Sequence, residues 1–137
     1  MGMENGPHRH MRLTKNLPKP TYYAAALDGE YSEFSYNEER AVTYKGFWRE
    51  KAFLSELDSP LDLEIGTGNG FYFAHHAQAY PERLLLGIEL KYKPLIQSIR
   101  RALRQESKNA RIARYNANFI WELFEDCLLY TSDAADE

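Results

Sequence analysis

The feature that most constrains this 137-residue chain is an apolar run that ends abruptly in glycines. In LDLEIGTGNG, Leu61, Leu63 and Ile65 alternate with Asp62 and Glu64, and Gly66, Gly68 and Gly70 follow at every second position. Apolar alternation bounded by glycine is the pattern of a strand running into a tight turn. Phe71 to Tyr80 then holds neither proline nor glycine, and Phe73, Ala74 and Ala77 recur at helical spacing. Pro81 closes that segment, and Leu84-Leu85-Leu86-Gly87-Ile88-Glu89 reads as a second strand. Strand, turn, helix and strand make a βαβ unit, so parallel strands and a right-handed crossover are expected. Glycines at the turn let backbone N–H groups approach a ligand that a side chain would hold off.

The glycine spacing narrows the ligand. A dinucleotide fingerprint needs G-x-G-x-x-G, its third glycine letting helix and strand close above a pyrophosphate. Here the order is Gly66-x-Gly68-x-Gly70, and Phe71 stands where that third glycine belongs. With Glu64 ahead of it, the stretch resembles the first motif of the class I methyltransferases. That resemblance implies S-adenosyl-L-methionine as cofactor. Its ammonium and sulfonium are cationic, so a carboxylate beside the turn suits it better than it suits a phosphate. Glu89 ends the second strand, where the acidic residue of a Rossmann-type site meets the ribose, and a carboxylate accepts from two hydroxyls at once. An NAD-dependent Rossmann oxidoreductase is an alternative on the glycine pattern, and a plain turn is another.

Upstream, Met1 to Pro20 is polar, with Arg9, Arg12, Lys15 and Lys19 and three prolines, and reads as a flexible basic arm. Thr21 to Val42 carries Tyr22, Tyr23, Tyr31, Phe34 and Tyr36 among acidic residues. Partial order is expected there, its aromatics docking on the main domain. Phe47, Phe53, Leu54 and Leu57 recur at helical spacing, which predicts an amphipathic helix ending at Asp58-Ser59-Pro60.

Downstream of Glu89, Pro94 fits the first turn of a helix whose apolar face is Leu95, Ile99, Ala102 and Leu103. Between Lys91 and Arg114 there are eight basic residues and one acid, Glu106. A solvated face mixes signs, and Lys91 and Lys93 oppose the dipole at a helix N-terminus, so a polyanionic partner is one reading. Lys91, Lys93, Arg100, Arg101 and Arg104 are the candidate nucleic-acid contacts. Ala110 to Tyr115 reads as a third strand with Asn116 beyond its end. Ligands of open parallel sheets bind outside the carboxyl ends of the strands, where Glu64, Glu89 and Asn116 are expected to converge.

Composition sets few limits. Hydrophobic residues make up 44% and aromatic residues 14%, as in a globular protein, and no apolar run approaches a membrane span. Cys127 is the one cysteine, which excludes an internal disulfide and a cysteine metal cluster. No metal and no membrane partner is expected, and a cytoplasmic protein is the default. Residues 127–137, CLLYTSDAADE, resemble the translation of a transposase-based sequencing adapter, and are expected to be an artefactual tail. The net charge of −3 comes from Asp133, Asp136 and Glu137 in that tail.

LDLEIGTGNG, LLLGIELKYKPLIQSIRRAL and NARIARYNANFIWELFED together resemble the bacterial tRNA (guanine-N7)-methyltransferase (TrmB) family over about Pro60 to Asp126. The resemblance implies an α/β, Rossmann-like class I methyltransferase fold, truncated after about three parallel strands, with an exposed edge where a fourth would pair. It implies methylation of N7 of the variable-loop guanine of tRNA, with Glu64, Gly66, Gly68, Glu89 and Asn116 at the cofactor. The family more often has aspartate at the position of Asn116; an amide also hydrogen-bonds adenine. The family's downstream Phe-Pro-Asp-Pro-Trp motif, with its catalytic-site aspartate, does not occur in this sequence. No catalytic residue is therefore assigned, and little or no activity is expected of the chain alone. The organisation expected is a basic arm and partly ordered extension over 1–45, a cofactor-binding half-domain over 46–126, and the tail. The alternative from another class is a non-catalytic RNA-binding module.

Overall fold

The computed structural model describes residues 20–125; the basic arm up to Lys19 and the tail from Cys127 lie outside the described residues. The elements run α1 (Thr21–Asp28), β1 (Ser35–Tyr36), α2 (Glu38–Ala41), β2 (Leu61–Ile65), α3 (Phe71–Ala79), β3 (Leu84–Ile88), α4 (Tyr92–Arg104) and β4 (Ala110–Ala113), then a 3-10 turn at Ala117–Glu122. The sheet order is β1-β4-β3-β2 and every pairing is parallel. The predicted βαβ unit is present, with Leu61 opposite Leu84 and Ile65 opposite Ile88.

Where three strands were expected, the described residues hold four. The added strand, Ser35–Tyr36, comes from the aromatic extension and lies against β4, with Ser35 opposite Ile112 and Tyr36 opposite Ala113. Two residues are too short to show alternation. Their strand character comes from the neighbour, through Ile112 N–H to Phe34 C=O at 2.9 Å and Arg114 N–H to Tyr36 C=O at 2.8 Å. At the other edge, β2 pairs with β3 alone among the described residues, and Ile65 is exposed.

β3 is buried at every position, as its near-continuous apolar run requires of a central parallel strand. Leu84, Leu86 and Ile88 face one core with Trp48, Tyr36, Leu61, Tyr115 and Phe124. Leu85 faces the other, where α1, α3 and α4 supply Leu27, Phe73, Ala77, Leu95, Ile99 and Ala102. Gly87 has no side chain because Phe73 and Thr67 occupy that space: a Cβ there would lie 2.7 Å from the Phe73 ring.

The helix predicted over residues 47–57 is not formed. Trp48–Ala52 makes a single π-helical turn, and Leu54 follows at φ 54°. Trp48, Ala52 and Phe53 are buried while Phe47, Leu54 and Leu57 face solvent, the reverse of the amphipathic face expected at three of its four positions. The side chain of Trp48 decides this. Its indole N–H donates to Leu123 C=O at 2.7 Å, and its ring stacks on Tyr44. The chain then folds back, with Arg49 Nε donating to Ser59 C=O at 2.6 Å.

The basic count between Lys91 and Arg114 also overstates the outward charge. Arg111 and Arg114 are buried. Arg111 donates to the carbonyls of Ala52, Lys108 and Ala110, and its guanidinium lies over Phe34 and Phe53. Arg114 pairs with Glu38 at 2.6 Å and donates to Leu90 C=O.

Beneath α3, Asp62 accepts two hydrogen bonds from Arg83, at 2.6 and 2.8 Å, and is 2.9 Å from His76 Nε2. The Arg83 bond, then that of His76, holds the Asp62 carboxyl below its ordinary value against the opposing effect of burial. A depressed carboxyl stabilises the fold above its unfolded pKa, and that contribution is lost as pH falls through the folded pKa. Asp62→Asn is therefore expected to lower unfolding free energy by about 1–2 kcal/mol at pH 7. The difference from the parent protein should shrink below about pH 4, as urea titrations at several pH values would measure.

Candidate functional site

The site is built on the turn after β2. Gly66, Gly68 and Gly70 all have positive φ, at 73°, 58° and 88°, a region that only glycine enters without strain. The three serve different ends. A Cβ at Gly66 or Gly68 would meet nothing within 4 Å, so both backbones border open space. A Cβ at Gly70 would lie 2.4 Å from Ser98 Cα, so this glycine lets the start of α3 touch α4. Gly70 thus supplies the close packing that a dinucleotide motif takes from its third glycine, one residue earlier than that motif places it.

Several bonds fix the turn. Gly66 N–H donates to Ile88 C=O at 2.7 Å, and Gly70 N–H to Thr67 C=O at 3.0 Å. Glu89, just past the end of β3, accepts from Gly68 N–H at 2.9 Å on one oxygen and from Lys91 N–H at 3.1 Å on the other. Ser98 Oγ, fully buried on α4, lies 2.8 Å from Pro94 C=O, 3.2 Å from Gly68 C=O and 2.8 Å from Thr67 Oγ1. When Ser98 gives its one proton to a carbonyl, the Thr67 hydroxyl donates to Ser98. Gly68 is thereby held at its N–H by Glu89, while its C=O shares the Ser98 proton with the nearer Pro94 C=O.

Glu64 is the next-to-last residue of β2 and is half-buried. Its Oε1 is enclosed and accepts no hydrogen bond. Burial pushes its carboxyl up, opposed by the charge of His76. A buried carboxylate oxygen without a donor is unfavourable, so the arrangement suits a cationic or hydrogen-bonding ligand. Asn116 lies three residues beyond β4, where its side chain accepts from Asn118 N–H at 2.9 Å and caps the following turn.

The structure thus joins Glu89 to Gly68, and sets Glu64 two residues ahead of the turn, on a strand paired with β3. Asn116 follows β4, the strand that pairs with β3 on the side opposite β2. Of the basic candidates, Lys91, Lys93 and Arg104 are exposed. Arg100 donates to the Tyr31 and Tyr22 hydroxyls at 3.0 and 2.7 Å. Arg101 turns back on the glycine turn, donating to Asn69 C=O at 2.8 Å with its guanidinium 3.7 Å from the centre of the Phe71 ring. Sequence reasoning missed Ser98, Thr67 and the packing role of Gly70. The available signal was Ser98 itself, a small polar residue between Leu95 and Ile99 on an otherwise apolar face.

Among the described residues no three His, Cys, Asp or Glu side chains are grouped to hold a metal ion, and no helix is long and apolar enough to cross a membrane.

A family model described as "Putative methyltransferase" matches residues 58–130. The chain is similar to the tRNA (guanine-N(7)-)-methyltransferase of Bdellovibrio bacteriovorus, with 54% identity over 101 residues, covering 74% of this chain and 48% of that protein. The enzyme of the same name from Listeria monocytogenes is 33% identical over 82 residues, covering 60% of this chain and 37% of that protein. That from Brevibacillus brevis is 30% identical over 116 residues, covering 85% and 49%. The chain spans at most about half the length of these curated relatives. The matched region contains β2, the glycine turn, α3, β3, α4 and β4. The chain belongs to this methyltransferase family, alongside the tRNA (guanine-N(7)-)-methyltransferases.

Proposed function

We propose that this chain is the cofactor-holding part of an enzyme that methylates N7 of the variable-loop guanine of tRNA, with S-adenosyl-L-methionine as methyl donor. The observation that carries the reading is the enclosed, unpartnered Oε1 of Glu64 ahead of a turn whose Gly66 and Gly68 border open space. Glu64 offers its carboxylate to the cationic end of the cofactor. Gly66 and Gly68 allow close approach of the backbone. Glu89 keeps lone pairs for ribose hydroxyls while it holds the turn, since each carboxylate oxygen accepts more than one bond. Asn116 offers its amide to the base. When bound, the cofactor supplies an electrophilic methyl group on a sulfonium. Guanine N7 carries no proton and its lone pair lies in the ring plane, so the protein needs no general base there and its task is placement. A tRNA substrate locates this work in the cytoplasm.

The test is a calorimetric titration of the chain with S-adenosyl-L-methionine and, separately, with NAD. Binding of the former alone is expected; a preference for NAD would overturn the reading in favour of an oxidoreductase. Glu89→Gln leaves a side chain of the same shape with a weaker acceptor, and is expected to weaken cofactor binding roughly tenfold.

Glu64 provides a second check with opposite signs. A carboxyl raised by burial destabilises the fold as pH rises through its folded pKa, because the unfolded chain ionises more readily. Glu64→Gln is therefore expected to raise the melting temperature by a few degrees at pH 8, with no gain at pH 4, while weakening cofactor binding. Loss of stability at pH 8 would show that this carboxylate serves the fold.

The glycines separate packing from ligand approach. Gly70→Ala combines left-handed strain with overlap against Ser98 and is expected to cost about 2–4 kcal/mol of stability. Gly66→Ala meets open space and should cost about 1–2 kcal/mol from strain alone, with the larger effect on cofactor affinity. Chemical denaturation and calorimetry on both variants check the contrast.

A further inference from the structure

A groove of about 440 Å³ lies between α1 and α4, lined by Tyr22, Glu30, Tyr31, Arg100, Leu103 and Arg104. It lies on a different side of α4 from the glycine turn, which Ser98 and Arg101 meet. Its polar groups are unusual in one respect. Arg100 donates to both tyrosine hydroxyls, so each phenol oxygen acts as acceptor toward the arginine. Each phenol proton is left to be donated, and among the described residues neither finds an acceptor. Neither Arg100 nor Arg104 forms an ion pair among the described residues. Glu30 is the one carboxylate in the lining. The Tyr22 ring is 55% exposed beside these donors.

The groove is continuous in helical register with the cofactor end of the sheet. At 3.6 residues per turn, Lys93, Gln97, Arg100 and Arg104 fall within about 60° of one another around α4. Lys93 and Arg104 are exposed, Gln97 and Arg100 half-buried. Eleven residues of rise separate Lys93 from Arg104, about 16 Å along the axis. The stripe begins two residues after Lys91, whose N–H is held by Glu89 at the cofactor turn. It ends at two hydroxyl donors and two guanidiniums without carboxylate partners. Donors of both kinds are what phosphate oxygens accept from, and an exposed aromatic face is a stacking surface for a base.

We propose that Lys93, Gln97, Arg100 and Arg104, with Tyr22 and Tyr31, form a track for an RNA backbone that leads from the methyl-transfer site down the outside of α4. The track rests on the proposed tRNA methyltransferase reading for the identity of its ligand. Lys93 and Arg104 meet phosphates directly. Arg100 acts partly through the tyrosines it orients, turning their protons outward.

The test is fluorescence anisotropy of labelled tRNA titrated with the full chain at several salt concentrations, with cofactor titrated calorimetrically on the same preparations. Lys93→Gln and Arg104→Gln are each expected to weaken tRNA binding roughly three- to tenfold and to reduce the salt slope by about 0.7–0.9, the loss of one phosphate contact. Tyr22→Phe keeps the ring and is expected to weaken binding with the slope unchanged. Lys51→Gln removes an exposed charge next to Phe47, away from the stripe, and should leave binding as it was. The three substituted track positions are exposed, and unchanged melting temperatures confirm that the fold is intact. Wild-type tRNA affinity and slope in Arg104→Gln, an equal loss in Lys51→Gln, or no tRNA binding by the parent chain would each overturn the track. Cofactor binding that persists beside such a result leaves the methyltransferase reading standing. Track variants that lose tRNA while the parent chain ignores the cofactor would sink that reading and keep the track.

Discussion

The arrangement depends on one residue held from two sides. Gly68 has its N–H on a carboxylate from β3's end and its C=O on a hydroxyl from α4 that it shares with Pro94 C=O. A turn with three positive-φ glycines has many backbone alternatives, and glycine loses more freedom than any other residue when it is fixed. The bonds from Glu89 and Ser98 select one of those alternatives. They also explain why the turn needs both following elements: β3 brings Glu89, α4 brings Ser98, and Gly70 must lack a side chain for α4 to come close enough. The open space beside Gly66 and Gly68 is the product of that selection.

Asp62 and Glu64 show how one strand can carry a satisfied and an unsatisfied carboxylate at once. They stand two apart on β2, so they share a face, and both feel His76. Asp62 is met by Arg83 and His76 and its acidity increases. Glu64 has an enclosed oxygen without a donor and its acidity falls. The paired carboxylate ties β2 to α3 and to the turn before β3. The unpaired one leaves a local deficit at the place where a ligand would supply the missing donor. A site that stores this deficit in the free protein can return it on binding, which is a general way that binding residues trade against stability.

The parts of this fold that could be read from sequence are those whose signal is local. Leu61 to Ile65 alternates, Phe73, Ala74 and Ala77 repeat at helical spacing, and Leu84 to Ile88 is buried at every position. The basic helix is equally plain because Leu95, Ile99 and Ala102 outline its inner face. What escaped was decided by distant partners. Ser35–Tyr36 is a strand only because β4 offers it an edge. Phe47 to Leu57 carries a helical period, yet Trp48 gains more from Leu123 and Tyr44 than a regular helix would allow. Arg111 and Arg114 counted as outward charge because a charge tally carries no direction; carbonyls, aromatic faces and Glu38 satisfy them inside. Beside the glycine turn, the placement of Glu64 and Glu89 at strand ends followed from the local pattern, while the Thr67–Ser98–Gly70 contact needed the third dimension.

The same physics explains why α4 carries so much. A helix presents different residues to different neighbours at fixed angles, and this one is thirteen residues long. Its inner face of Leu95, Ile99 and Ala102 is held by burial. The side toward the turn is held by Ser98 against Gly68 and by Arg101 across Phe71 to Asn69. The side toward α1 is held through Arg100 by two tyrosines. Three sets of contacts on one rigid rod leave it little freedom to rotate, so any displacement at one set must move the others. This also gives the aromatic extension a structural reason. Without Tyr22 of α1 and Tyr31 of the turn after it, the outward arginine of α4 would be a solvated side chain with many rotamers, and ordering it against any partner would carry an entropic cost of about 2 kcal/mol. With them, the guanidinium is already placed, and the neighbouring hydroxyl protons are placed with it.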